Sequence, residues 1–149
     1  MWGLGWAAAN GGLLLAQVGA MPFVDHDMQI DLAFGAGTAA VGVASTLASP
    51  VTWLRVPDDC DQIEQVLARA AADEAFGRSF WLHAGNVLVN GGAALALGLG
   101  WDRWRSAALN GSVGILIGEI MIFTQPDGAV HLAVAPSANG AVLFLAGAF

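Results

Sequence analysis

Ionisable and amide side chains inside long apolar stretches are the residues of this sequence that are best placed to do chemistry. A carboxylate and an imidazole can carry a proton, and amides can bind a polar ligand or a cation. Such groups are costly in an apolar environment unless they are paired, so each is a candidate for function. The candidates are Asn10, Gln17, His83, Asn86, Asn90, Asn110 and Glu119.

Their spacing places several of them on shared helix faces. His83, Asn86 and Asn90 occupy positions i, i+3 and i+7, which fall on one face of a helix. Asn10 and Gln17 are one heptad apart and share a face in the same way. Each face is therefore predicted to point into a helical bundle, where its amides can find partners.

Glu119 is the one acidic residue of the last long apolar stretch, and two interpretations of it are open. In the structural one, Glu119 is protonated or hydrogen-bonded to Asn86 and His83, and it holds helices together. In the functional one, Glu119 and His83 carry protons or bind a polar ligand or a cation. The apolar stretches contain no Arg or Lys and many small residues, which favours the structural interpretation.

Four stretches that are nearly free of charged residues must carry these side chains. A bilayer core of ~30 Å needs about 20 apolar residues per helix, and each stretch is long enough. All six Trp residues lie at or near the end of a stretch, as expected of rings that collect at the headgroup level. The sequence thus predicts an all-α membrane protein, a four-helix transmembrane bundle forming a single polytopic domain over residues 1–149. The predicted spans are about 2–24, 32–54, 79–101 and 106–126.

Two further segments lie outside these spans. Residues 58–78 combine acidic residues with one apolar face, which predicts an extra amphipathic helix outside the hydrocarbon. Residues 128–149 carry no charged residue and are long enough for a fifth helix, yet the run 136–140, Pro-Ser-Ala-Asn-Gly, is a strong turn signal. The C-terminal tail is therefore predicted to be either a fifth helix or a short β-hairpin, with the hairpin favoured.

Small residues recur at heptad spacing along the second and fourth spans, which predicts close contact with neighbouring helices. The two stripes are Gly35, Thr38, Gly42, Ser45 and Ser49, and Ala107, Gly111, Gly114 and Gly118.

The third and fourth spans run antiparallel because only residues 102–105 join them. At ~1.5 Å per residue, Asn86 and Glu119 both lie about 10 Å inside the same membrane face, with His83 a turn nearer the surface. These three side chains are thus predicted to meet.

Composition argues against several classes of function. The net charge is −7 and the five cations are all Arg, so nucleic acid is not an expected partner. Cys60 is the single cysteine, which excludes an intrachain disulfide and a cysteine-based metal cluster. The sequence has no phosphate-binding glycine loop, no nucleophile elbow and no His-Glu-x-x-His motif, so we expect no enzyme, cofactor or metal site. The acids at 25–27 are interpreted as a solvated turn, and Asp31 as an acid of a first helical turn.

Several runs of the second half of the chain form a recognisable pattern. The runs are Asp73-Glu-Ala-Phe-Gly-Arg-Ser, His83-Ala-Gly-Asn-Val-Leu-Val-Asn, Leu97-Gly-Leu-Gly, Arg103-Trp, Ser106-Ala-Ala-Leu-Asn and Gly118-Glu-Ile-Met-Ile-Phe-Thr-Gln-Pro. Together they resemble a group of small uncharacterised envelope proteins of myxobacterial type. The resemblance implies a bacterial envelope protein and adds no catalytic residue.

The expected function is that of a structural or assembly subunit of a bacterial membrane. Its expected partners are the lipid bilayer and either further copies of the chain in a homo-oligomer or a larger membrane complex. The alternative is a small transporter or channel subunit that uses the cluster of Glu119, His83 and Asn86. The inner membrane is favoured as the location, and the outer membrane stays open.

Overall fold

The computed structural model describes residues 2–49, 60–125, 131–137 and 140–146, and most of these are helical. The helices are α1 (Trp2–Ala20), α2 (His26–Ala48), α3 (Cys60–Gly77), α4 (Phe80–Trp101) and α5 (Trp104–Phe123), with a short 3₁₀ turn (Met21–Phe23) after α1. Two strands follow, β1 (His131–Ser137) and β2 (Gly140–Ala146). The predicted helical class is thus confirmed.

Two helical hairpins build the bundle. Helix α1 packs along α2, and α4 packs along α5, because only short turns join the members of each pair. Helix α2 joins the two hairpins, since it contacts both α4 and α5. In the α4–α5 turn, Asp102 takes the left-handed conformation that ends α4, with φ of 55°.

Helix α2 begins six residues before the predicted start of the second span at residue 32, because Asp25 caps it. The Asp25 side chain accepts a hydrogen bond from Met28 N at 2.8 Å, and Asp27 adds a favourable acid to the first turn. Asp31 therefore lies inside α2 rather than in its first turn, which corrects the sequence interpretation. The predicted end of this span, residues 50–54, lies outside the described residues.

Three of the described helices, α2, α4 and α5, are long and apolar enough to cross a membrane. Their outward faces carry large apolar side chains, and Leu88 and Leu99 in α4 are each 74% exposed. Among the described residues, Leu97 is the one large side chain that is fully buried. Water would penalise so much exposed apolar surface, whereas lipid accepts it. These helices therefore fit a membrane location.

The segments outside these helices differ in character. Helix α3 lies within the predicted range 58–78 and contacts α4, while residues 58–59 lie outside the described residues. Strands β1 and β2 pair antiparallel, with Ser137 opposite Gly140 and His131 opposite Ala146. Residues 128–130, 138–139 and 147–149 of the tail lie outside the described residues.

Candidate functional site

Glu119 in α5 is held by two side chains of α4. Its Oε2 lies 2.6 Å from the Nδ1 of His83, a distance at which an imidazole N–H donates to a carboxylate. Its Oε1 accepts a hydrogen bond from the Nδ2 of Asn86 at 2.9 Å. The predicted meeting of these three side chains is therefore confirmed, and both carboxylate oxygens have partners.

The hydrogen bonds continue along α4 as a directed chain. Asn86 Nδ2 also donates to Ile115 O at 2.9 Å, and Asn86 Oδ1 accepts from the Nδ2 of Asn90 at 2.8 Å. Asn90 Nδ2 donates as well to Asn86 O at 3.1 Å. Because each amide nitrogen faces oxygen acceptors, the orientation of both amides is fixed by their partners. The side-chain hydrogen bonds thus run in one direction, from Asn90 to Asn86 and from Asn86 to Glu119.

A glycine of the adjacent helix faces each of these amides. The Asn86 side chain lies against Gly118, and the Asn90 side chain lies against Gly114, so closely that a Cβ at either glycine would overlap the amide. An amide side chain can come this close to a neighbouring helix backbone only at a residue that has no side chain. The short distance also allows weak Cα–H···O contacts between the glycine and the amide oxygen. The glycine stripe of α5 is therefore a surface that receives the amides of α4.

The first hairpin repeats this arrangement. Gln17 of α1 lies against Gly35 of α2, and a Cβ at Gly42 would lie 2.8 Å from the Oδ1 of Asn10. The predicted close contact along the stripes is thus confirmed in both hairpins. The amides that looked like ligand candidates and the glycines that looked like packing positions belong to the same contacts.

A half-open cleft of about 230 Å³ lies between the two hairpins. Asn10, Asn86 and Asn90 contribute amides to its wall, whereas Glu119 does not line it. The rest of the wall is mostly apolar, with side chains such as Leu82, Val89 and Met121. Its shape and lining are those of a site for an apolar group with few hydrogen bonds.

The remaining sequence candidates lie elsewhere. Gln17 contacts α2 away from this cleft, and Asn110 lines a separate cavity of about 10 Å³ next to Asn90. The side chain of Asn110 makes no hydrogen bond with the described residues. The structure therefore brings His83, Asn86, Asn90 and Glu119 together, and Asn10 reaches the same cleft. Whether any of them binds a ligand or a proton stays a prediction.

A second polar cluster, at the opposite end of the bundle, was missed from the sequence. Arg103 in the α4–α5 turn donates from Nε to Asp31 Oδ1 at 2.7 Å and from Nη2 to Asp31 Oδ2 at 2.5 Å. Ser106 Oγ donates to Asp31 Oδ2 at 2.7 Å, and Asp27 Oδ2 lies 3.0 Å from Arg103 Nη1. We call Asp31, Arg103 and Ser106 the inter-hairpin latch, because they join α2 to the α4–α5 hairpin.

The latch is charged and mostly buried. The Asp31 side chain is 11% exposed and that of Arg103 is 22% exposed. The hydrogen bonds that Arg103 donates to Asp31 are the main reason that the pKa of Arg103 lies above its usual value, and the charges of Asp31, Asp27 and Asp25 add to the effect. The guanidinium is therefore positive at any physiological pH. The sequence did contain a signal for this contact. Asp31 lies near the start of the second span, and Arg103 lies in a turn on the same side of the bundle.

The acidic turn has assigned partners of its own. Asp25 caps α2 and Asp27 pairs with Arg103, so both acids are used in helix and latch contacts. In the part of the chain that the structure describes, no group of three or more His, Cys, Asp or Glu side chains is arranged to hold a metal ion.

Comparisons with protein-family models, with curated proteins and with solved structures found no match for this chain. Its own contacts are therefore the basis for assigning a function.

Proposed function

We propose that this chain is a four-helix integral membrane protein that serves as a structural or assembly subunit of a bacterial membrane. The observation that carries the proposal is the pairing of both Glu119 oxygens with α4 side chains, His83 and Asn86. A carboxylate used in this way joins two helices in a medium where unpaired polar groups are costly. In this proposal the polar residues of the bundle serve its assembly.

The proposal counts α1 as the fourth crossing. Its two amides lower its hydropathy, but both face glycines of α2 rather than lipid. Trp2 at its start donates from Nε1 to Thr124 Oγ1 at 3.3 Å, just beyond the end of α5. Because α1 starts at the level where α5 ends and then runs beside α2, it crosses the same part of the membrane as α2 and α5. The tail is assigned as a β-hairpin outside the hydrocarbon, because two strands leave unpaired edges that lipid cannot satisfy.

Assembly with other copies or other subunits is supported by the outer face of α1. Gly5, Gly12 and Gly19 are spaced by heptads, and no side chain of the described residues lies within 4 Å of a Cβ built at any of them. Helices approach each other closely in membranes along small residues of this kind. The proposed state is a homo-oligomer or a larger membrane complex.

The alternative, a small transporter or channel subunit, is favoured by one observation. The side chains of His83 and Glu119 are 30% and 23% exposed, so neither is sealed in the bundle. A transport site at Glu119 would nevertheless need a path to it, and the cleft between the hairpins is lined by Asn86 and not by Glu119. The structural role is therefore preferred.

Glu119→Gln tests the choice between these two roles. In proteoliposomes we expect wild type and variant to show the same proton and cation flux, equal to that of empty vesicles. The substitution weakens the bond to His83 and is expected to lower the free energy of unfolding by about 1.5 kcal/mol, the lower end of the usual range for a hydrogen bond to a charged group. Asp102→Asn is the matched control, because it also removes one acid but lies in an exposed turn.

A flux that requires wild-type protein and disappears in Glu119→Gln would exclude the structural role in favour of transport.

The proposed assembly into an oligomer or complex is tested separately by crosslinking in intact membranes. We expect adducts larger than one chain, and Gly12→Leu on the outer face of α1 is expected to reduce them. Monomers alone at every crosslinker concentration would contradict an oligomer.

A further inference from the structure

The cleft between the two hairpins contains hydrogen-bond acceptors that the described chain leaves unused. Asn10 and Asn90 are each only 8% exposed, and both line the cleft. Asn10 Nδ2 donates to Trp6 O at 3.0 Å, and Asn90 Nδ2 donates to two oxygens of Asn86. Neither Oδ1 accepts a hydrogen bond from any described residue.

Neither oxygen is fully enclosed, and each belongs to a residue that lines the cleft. In the described part of the chain, Ser79 Oγ is the one side-chain N or O atom that is fully enclosed without a partner, so neither amide oxygen is enclosed. Asn10 Oδ1 lies against Gly42 and Asn90 Oδ1 lies against Gly114, and these two glycines line the same cleft.

The hydroxyl groups of the wall are acceptors as well. Thr38 Oγ1 donates its proton to Gly35 O at 2.9 Å, and Ser45 Oγ donates to Gly42 O at 3.0 Å. Each hydroxyl therefore presents only lone pairs to the cleft. Asn90 is the strongest of these acceptors, because its own N–H donates into a chain that ends on the Glu119 carboxylate, and such chains polarise their members.

We propose that this cleft binds a lipid-soluble alcohol. Its hydroxyl donates to one of the two amide oxygens, and its apolar body lies along Leu82, Val89 and Met121. The few acceptors in the wall select a hydrogen-bond donor, and the apolar remainder of the wall selects a hydrocarbon. A cavity of about 150 Å³ holds a benzene ring. The cleft of about 230 Å³ therefore takes the hydroxyl end with a ring or a short chain segment, and the rest leaves through the open side.

The ligand comes from the bilayer in this proposal. The described residues that line the cleft all belong to α1, α2, α4 or α5, and none belongs to a described turn. A group that enters between these helices comes from the hydrocarbon rather than from water. This inference goes beyond the structural role and does not require it.

Photolabelling with a matched pair of probes tests the proposal. The first probe is a long-chain primary alcohol with a diazirine in its chain, and the second is its methyl ether, which cannot donate. With the full chain in lipid vesicles, we expect the alcohol to label peptides that contain Leu82, Val89 or Met121 about tenfold more than the ether does. A tenfold preference corresponds to about one buried hydrogen bond.

Variants of residues that line the cleft then show which atoms cause the preference for the alcohol over the ether. The double variant Asn10→Leu, Asn90→Leu is expected to label equally with alcohol and ether, whereas Asn110→Leu, which removes an amide outside the cleft, is expected to keep the tenfold preference. Should the double variant fail to fold, Asn10→Leu, whose one hydrogen bond lies within its own helix, and the smaller change Asn90→Ala are tested singly, and at least one of them is expected to lose the preference. Equal labelling of wild type by both probes, no labelling of cleft peptides, or an unchanged preference in the folded variants would each overturn the proposal.

Discussion

Arg103→Gln is expected to lower the midpoint of thermal unfolding by roughly 5–10 °C, the order that follows from leaving a buried partner charge without its counterpart. The loss of stability comes from Asp31, the partner of Arg103, which would be left as a buried charge. Asp31 is inside α2 with only 11% of its side chain exposed, and Arg103 supplies two of its hydrogen bonds. Without the guanidinium, Ser106 alone remains as a donor to this carboxylate among the described side chains.

The double variant Asp31→Asn, Arg103→Gln is expected to regain part of the lost stability, because it leaves no unpaired charge. Arg105→Gln is the matched control: it also removes an Arg close to the α4–α5 turn, but its side chain is exposed, and we expect a shift within about 2 °C. Thermal unfolding in mild detergent, followed by circular dichroism, measures all three. Equal shifts for Arg103→Gln and Arg105→Gln would mean that the latch contributes nothing to holding the hairpins together.

The Glu119 cluster could be predicted because local geometry fixes it. Positions i, i+3 and i+7 place His83, Asn86 and Asn90 on one face, and a short turn sets the level at which α5 returns beside α4. Two constraints that act over short distances in the sequence were therefore enough to bring Glu119 to Asn86. The amide–glycine contacts follow from the same register.

The latch and the cleft depend on how one hairpin sits on the other, which no local pattern specifies. Arg103 reaches Asp31 across 72 positions of sequence, and the capped start of α2 at His26 moves Asp31 from a helix start to a buried position. The volume of the cleft depends on the separation of the hairpins. The spacing of the glycines predicts contacts within each hairpin. It does not predict the distance between the two hairpins, which sets the volume of the cleft.

Gly118→Ala is expected to destabilise the bundle by about 2 kcal/mol, within the usual cost of overpacking a close contact. The new Cβ would overlap the amide of Asn86, which must then move or push α4 away from α5. Movement of Asn86 also weakens its bond to Glu119 and removes the acceptor that holds Asn90. One methyl group therefore disturbs the whole hydrogen-bonded chain rather than a single contact.

Gly92→Ala is the matched control, since it adds the same methyl group to an exposed position of α4 with open space around it. There we expect a gain of up to about 1 kcal/mol, because Ala restricts the unfolded backbone and favours the helix. Denaturant unfolding in detergent micelles measures both variants, and opposite signs are the expected result. If both glycines instead gave the same small gain, the close approach of Asn86 to Gly118 would not contribute to stability, and the α4–α5 pair would be held by its apolar contacts and not by its amides.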